Sequence, residues 1–298
     1  SKIVPKMGDS AKILYLIYAA LTALQFAVLL LAGMNPYDAA IHTFGTAGTG
    51  GFSNYGASIA AFHSPLIEWI ITFFMVLFGI NFALFYRAIT GDWRDALRSE
   101  ELHWYLGIYG TATIFSTMLL LPRYHGFWEA LRYGSFQVAS VMSTTGYATA
   151  DFNLWPVAVK MVLLLVMIVG GCAGSTAGGI KVVRTALLFK LGRREIRHTF
   201  QPRKVQVVRF EGKGVEEGML SQVAMFFCVY VLMLLLGAFA ISLEGRFDVE
   251  TNLTAALTCL SNVGPGLGAV GPVENFAGYG PFAKLVLSLL MLAGRLEL

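Results

Sequence analysis

Thr49-Gly50-Gly51-Phe52-Ser53 follows a short amphipathic stretch, residues 36–47, set between two long apolar runs. The same setting returns at Thr144-Thr145-Gly146-Tyr147-Ala148 after residues 128–142, and at Asn262-Val263-Gly264-Pro265-Gly266 after residues 249–260. Gly51, Gly146 and Gly264 thus stand in register, 95 and 118 residues apart. The wider second spacing is taken up by a basic stretch, 190–213, inserted between repeats and not within one. Each repeat reads as long helix, short helix, glycine-bearing turn, long helix, and fixed recurrence of this kind marks a repeat architecture.

The long runs occupy 13–34, 66–86, 104–121, 157–180, 219–243 and 282–298. A bilayer core takes about 20 apolar residues in a helix, whereas runs of about 10–14 are more often re-entrant. The six runs therefore read as spans, and the three short stretches as re-entrant segments. Composition agrees: of 298 residues, 56% are hydrophobic and 13% charged, with a mean hydropathy of +0.64, where soluble domains carry about 25% charged residues. A disordered chain, a disulfide-stapled module and a nucleic-acid-binding domain are excluded on these grounds. Cys172, Cys228 and Cys259 are widely separated, and the five histidines lack metal-ligand spacing.

Lysine and arginine fix the orientation, because cytoplasmic loops are enriched in both. The N-terminal arm, the loop at 87–103 and the stretch at 181–213 together hold sixteen, while the gaps containing the short stretches hold Arg123, Arg132 and Arg246. The short stretches enter from the outside.

Irregular backbone at membrane depth leaves unsatisfied amides and carbonyls, and survives only where it is buried in protein or lines a water-filled path. A threefold glycine turn after a short helix therefore points to a pore lining of backbone carbonyls, with the negative end of each short helix facing a cation. A second signal is Gly170-Gly171-Cys172-Ala173-Gly174-Ser175-Thr176-Ala177-Gly178-Gly179. Five glycines in ten residues should break the helix there. The segment does not match a phosphate-binding loop, since Lys181 stands two residues after Gly179 and precedes Val182; a close-packing face of small residues is the alternative to a flexible obstruction below the Gly146 turn. Arg295, inside the last run, faces either the bundle interior or snorkels to the inner surface. An intramembrane enzyme lacks its groups: Glu68 and Glu297 read as isolated, and Ser175 and Thr176 have no histidine partner in the pattern.

These motifs resemble the TrkH, TrkG and KtrB family of potassium transporters, and the TrkH branch most closely. The matching residues are Gly50-Gly51-Phe52-Ser53, the 170–176 segment, Asn262-Val263-Gly264-Pro265-Gly266-Leu267-Gly268 and Gly294-Arg295-Leu296-Glu297. The resemblance implies an all-α membrane protein of repeated helix, pore helix and helix units around a potassium-channel-like pore. Three of four units are present and the last is truncated, so the chain reads as a fragment lacking the first unit and the C-terminal end, with Ser1-Lys2-Ile3-Val4-Pro5-Lys6 resembling the link after the first unit. The expected organisation is a second unit at 1–98, a third at 99–189, a cytoplasmic basic loop at 190–217 and a fourth unit at 218–298.

Under that resemblance a potassium filter is formed by the backbone of Thr49, Gly50, Gly51 and Phe52, of Thr144, Thr145, Gly146 and Tyr147, and of Asn262, Val263, Gly264 and Pro265. Gly170, Gly171, Cys172, Ala173, Gly174, Ser175, Thr176, Ala177, Gly178 and Gly179, with Arg295, form the gate. The implied protein is the pore-forming subunit of a potassium uptake system in a bacterial inner membrane, with K+ as the transported ion and no other cofactor. It is implied to work as a homodimer with a cytosolic nucleotide-binding regulatory subunit of the TrkA type; anionic lipid is the alternative partner for the basic stretch. An ion-coupled secondary transporter with alternating access is the competing reading.

Overall fold

The first short helix starts where the residue types dictate. Pro36 takes a position in the first turn, where its missing N–H costs nothing, and the Asn35 side chain accepts the N–H of Asp38 at 3.0 Å. Ser64 with Pro65 begins the next long helix in the same way, Ser99 caps another, and Asp248 accepts the N–H of Thr251 at 2.9 Å to start the last short helix. The computed structural model describes residues 7–91, 93–201 and 206–296.

Among these residues lie twelve α-helices and one small hairpin. The first module is α1 (Met7–Leu31), α2 (Pro36–Ala47), α3 (Pro65–Phe78) and α4 (Phe82–Ile89), followed by the one-turn α5 (Trp93–Leu97). The second is α6 (Glu100–Leu120), α7 (Phe127–Met142), α8 (Val157–Val169) and α9 (Val182–Phe200). A two-stranded antiparallel hairpin, β1 (Arg209–Phe210) and β2 (Lys213–Gly214), leads to the third module: α10 (Glu217–Ser242), α11 (Val249–Ser261) and α12 (Pro281–Leu296). The fold is all-α and membrane-embedded, built from a long helix, a short helix and a long helix, three times over.

The short helices are the interior. Residues 134–142 of α7 and 254–261 of α11 are buried throughout, although they include Ser135, Gln137, Ser140, Thr254, Thr258 and Ser261. The apolar residues point the other way: Leu232, Leu235, Leu236 and Phe239 of α10 and Tyr15, Leu16 and Leu24 of α1 are exposed, as expected where the solvent is lipid.

Several expectations need adjustment. The run at 66–86 is not one span: α3 and α4 meet at a 90° bend. The run at 157–180 ends as helix at Val169, which agrees with the break expected at the glycines from 170 onward. By length and apolarity, two helices among the described residues could cross a membrane, three if the bent pair counts as one; α8 has only 13 residues, and glycine, serine and threonine dilute the apolar character of α6. The stretch at 190–213 continues α9 as far as Phe200 before the chain turns through the hairpin, so its first part is helix and not loop. Glu68 is not isolated: it is buried and its carboxylate meets Arg132 of α7 at 3.2 Å. Residues 1–6 and Glu297 lie outside the described residues.

Candidate functional site: three glycine turns and the loop beneath them

The three glycine turns share one hydrogen-bond plan. Gly50 and Gly51 both donate their N–H to Gly45 O, at 2.8 and 3.2 Å, and Thr145 and Gly146 both donate to Ser140 O, at 2.9 and 3.3 Å. In the third turn Val263 donates to Thr258 O at 3.0 Å and Gly264 to the Thr258 hydroxyl at 2.8 Å. Gly45, Ser140 and Thr258 stand 95 and 118 residues apart, the register read from the glycines.

The backbone angles repeat as well. The φ values are positive at Thr49 and Gly51 (50° and 63°), Thr144 and Gly146 (55° and 86°), and Asn262 and Gly264 (60° and 111°), with the residue between each pair outside that region. A threonine at positive φ is a genuine outlier, costing on the order of 1–3 kcal/mol, and such strain persists only where the surroundings enforce it. Alternating φ keeps each turn out of helix and strand, and turning the amides back onto the helix end removes them as donors to neighbouring strands. None of the described hydrogen bonds ends on the carbonyl oxygens of Thr49, Gly50, Gly51, Thr144, Thr145, Gly146, Asn262, Val263 or Gly264.

The turns lie side by side. A Cβ on Gly51 would overlap the carbonyl oxygen of Thr145, and one on Gly146 the carbonyl oxygen of Val263. A cavity of about 290 Å³ touches all three and carries a single acidic side chain, Glu274, in its lining. A second cavity of about 730 Å³ lies between the first and third modules, against Thr49, Gly50, Asn262, Gly264, Met291 and Arg295. Nearby carboxylates at the outer ends of the helices are held below the usual range. The Thr251 side chain and backbone do this to Asp248, and the N–H of Ala283, then that of Gly280, do it to Glu244 against a smaller opposing effect of desolvation.

Residues 170–181 form a loop pressed against the inner side of the turns. The helix is interrupted and then resumed: Ile180 and Lys181 donate their N–H to Ile168 O and Val169 O, at 3.1 and 3.0 Å, satisfying carbonyls that a helix end leaves orphaned. Gly170 and Gly179 permit this closure, since a Cβ on either would strike the backbone of the other limb. The crown of the loop grips each turn. Thr49 Oγ1 donates to Thr176 O at 2.9 Å, Gly178 N–H donates to Thr144 Oγ1 at 2.6 Å, and a Cβ on Gly178 would lie 2.5 Å from Ser261 O. Arg295 faces inward, its Nη1 donating to Thr176 O at 3.0 Å. The two strained threonines thus spend their hydroxyls on the loop.

The structure brings together every residue singled out in the sequence for the turns and the loop, and adds others. Glu101, buried at the start of α6, accepts Ala173 N–H at 2.6 Å. Asn81 caps α4 through Ala83 N–H at 2.9 Å and reaches Glu101 at 3.5 Å. Gly79 O accepts Cys172 N–H at 2.9 Å, and Phe78 O accepts the Thr176 hydroxyl at 3.3 Å. Gly79-Ile80-Asn81 inside an apolar run is a readable break signal; nothing in the pattern marks Glu101 beyond a helix start after Ser99.

The family model described as "TrkH: Cation transport protein" matches residues 1–122 and 128–298. The chain belongs to this family. It is 36% identical over its whole length to the "Trk system potassium uptake protein TrkH" of Escherichia coli K12, covering 62% of that protein, and 31% identical to the "Trk system potassium uptake protein TrkG" of the same strain, covering 61%. A crystal structure of the potassium transporter TrkH from Vibrio parahaemolyticus superposes with a TM-score of 0.92 at 33% identity, over 99% of this chain and 64% of that one. The chain therefore spans about three-fifths of the length of these relatives. Its family is one of transport proteins, not enzymes.

Proposed function

We propose that the chain contributes three units of the pore of a potassium uptake system in a bacterial inner membrane. The observation that carries this reading is the threefold turn with its free carbonyls: it supplies neutral oxygen ligands of the kind that replace the hydration shell of an alkali cation. Short helices ending at the turns add a negative potential from their C-terminal carbonyls. Thr49, Gly50 and Gly51, Thr144, Thr145 and Gly146, and Asn262, Val263 and Gly264 are the ligand backbones in this reading, with Phe52, Tyr147 and Pro265 completing the three segments. The loop at 170–179 with Arg295 is the gate, closed in the arrangement described because its crown is bonded to the turns. The organisation into units at 1–98, 99–189 and 218–298, separated by a basic segment, follows from the same reading.

Homodimeric assembly and regulation by a cytosolic nucleotide-binding subunit of the TrkA type are part of the proposal; they rest on resemblance and on the cationic α9, which exposes Arg193 and Arg197. The test is potassium against sodium flux in proteoliposomes holding the native gene product that carries these residues. Fast potassium-favouring flux that follows the gradient and loses its preference in Gly146→Ser is expected. Slow, saturable flux that requires a second ion would favour the coupled transporter and overturn the channel reading.

A further inference from the structure

The residue after each turn glycine differs among the three modules, and the difference is structural. Phe52 is 79% exposed, whereas Tyr147 in the equivalent place is fully buried; the third position is Pro265, which has neither hydroxyl nor N–H. The Tyr147 hydroxyl crosses from the second module into the first, where it donates towards two carbonyls, His42 O of α2 and Phe52 O, each at 3.2 Å. It fits there because position 45 is glycine: a Cβ on Gly45 would overlap the Tyr147 hydroxyl oxygen. The ring also lies 5.7 Å from that of His42. The carbonyl of Tyr147 is itself held from behind, by the buried Ser140 hydroxyl at 2.6 Å.

Two consequences follow from elementary geometry. The carbonyls of Phe52 and Tyr147 are engaged by hydroxyls on the pore-helix side, whereas those one and two residues earlier accept no described bond. And the first turn is tied to the second module by a rigid, buried aromatic ring that holds the end of one turn at a fixed distance from the next. A carbonyl ring selects between cations only if its radius resists collapse onto the smaller one, and a strut between neighbouring turns supplies that resistance.

We propose that Tyr147 is a positioning residue for ion selection: its hydroxyl, seated over Gly45, sets the spacing between the first and second turns, and the ion-coordinating layers end at Gly51 and Gly146. The inference rests on the pore reading given above and assigns to the Tyr147 side chain a role beyond its backbone.

The test uses the native gene product in proteoliposomes and two independent substitutions. Tyr147→Phe removes the hydroxyl and keeps the ring; Gly45→Ala keeps the hydroxyl and evicts it. Both are expected to lower the potassium-to-sodium flux ratio about three- to tenfold, the factor set by one buried neutral hydrogen bond, with sodium flux rising and not merely potassium flux falling. The double variant should be no worse than either single one, because both remove the same strut. A merely structural tyrosine predicts lower thermal stability with an unchanged flux ratio, and that result in either well-folded variant overturns the proposal. If the unsubstituted protein shows no potassium preference at all, the pore reading itself fails, which is a separate outcome. Should Gly45→Ala not fold, Tyr147→Phe alone decides, since it adds no atoms.

Discussion

The second long helix is broken in the first two modules and runs without a break over the described residues of the third, 281–296, and the two breaks are built differently. The break between α3 and α4 is three residues, 79–81, and turns the helix by 90°. Its polar groups are used up at once: Asn81 caps the next helix, and Phe78 O and Gly79 O accept from Thr176 and Cys172. The break between α8 and α9 runs over twelve residues, 170–181, and its crown is bonded to itself through Ser175 and Lys181 and, outside the loop, to Thr49, Thr144 and Arg295. A break of three residues whose polar groups are bonded is a fixed corner; a glycine-rich one of twelve residues has a second arrangement within reach. The fixed corner is also the support of the other, since it receives two of the loop's bonds.

The harshest test of that contrast is to shorten the long break. Deleting residues 172–178 lets the limbs at Gly171 and Gly179 join and removes every bond to Thr49, Thr144 and Arg295. Basal potassium flux should rise about tenfold or more, corresponding to the loss of more than about 1.4 kcal/mol of closing free energy. Flux at or below that of the parent protein would show the loop to be packing and not a gate.

Attacking the short break should do something else. A Cβ on Gly79 would overlap the hydroxyl of Tyr105, which is almost fully buried and cannot yield. Gly79→Ala should destabilise the protein by about 1–3 kcal/mol, as overpacking does, read as a lower midpoint of thermal unfolding in detergent. A large gain in flux without loss of stability would make the corner, too, a moving part.

The coupling between the breaks is sharpened at Glu101, whose carboxylate holds Ala173 N–H. Glu101→Gln keeps the acceptor and removes the charge, at a cost of about 1 kcal/mol, and should raise basal flux by roughly fivefold. An unchanged flux would detach the first turn of α6 from the control of the loop.

The smallest effect belongs to α12. Its N-terminus is anchored by Glu244, which accepts Gly280 N–H at 2.7 Å and Ala283 N–H at 2.9 Å and is held below the ordinary carboxylate range. The stabilisation is complete above the unfolded value of about 4.3 and disappears as pH falls through the lower folded value. Acidification across that window should therefore lower the unfolding midpoint of the parent protein slightly more than that of Glu244→Gln.

Much of this was legible in the chain. The register of Gly51, Gly146 and Gly264, the start of α2 at Pro36 and the interruption at Gly170 all follow from local rules: period, capping and glycine density. These are properties of short segments, which a sequence carries in full. The bend at 79–81 carried a local signal as well, but three residues in a long apolar run leave its hydropathy unchanged, so the run still reads as one span.

What only the tertiary structure decided is which segments meet. The contacts of Thr176 with Thr49 and Arg295 join residues 127 and 119 positions apart, Glu101 reaches Ala173 across 72, and Glu68 finds Arg132. Tyr147 and Phe52 occupy the same place in their repeats, yet one hydroxyl is buried across a module boundary and the other ring faces outward. A repeat pattern fixes each module's internal geometry through local hydrogen bonds. The contacts between modules depend on the whole set of side chains at one interface, and Phe52, Tyr147 and Pro265, the residues after the three glycines, differ.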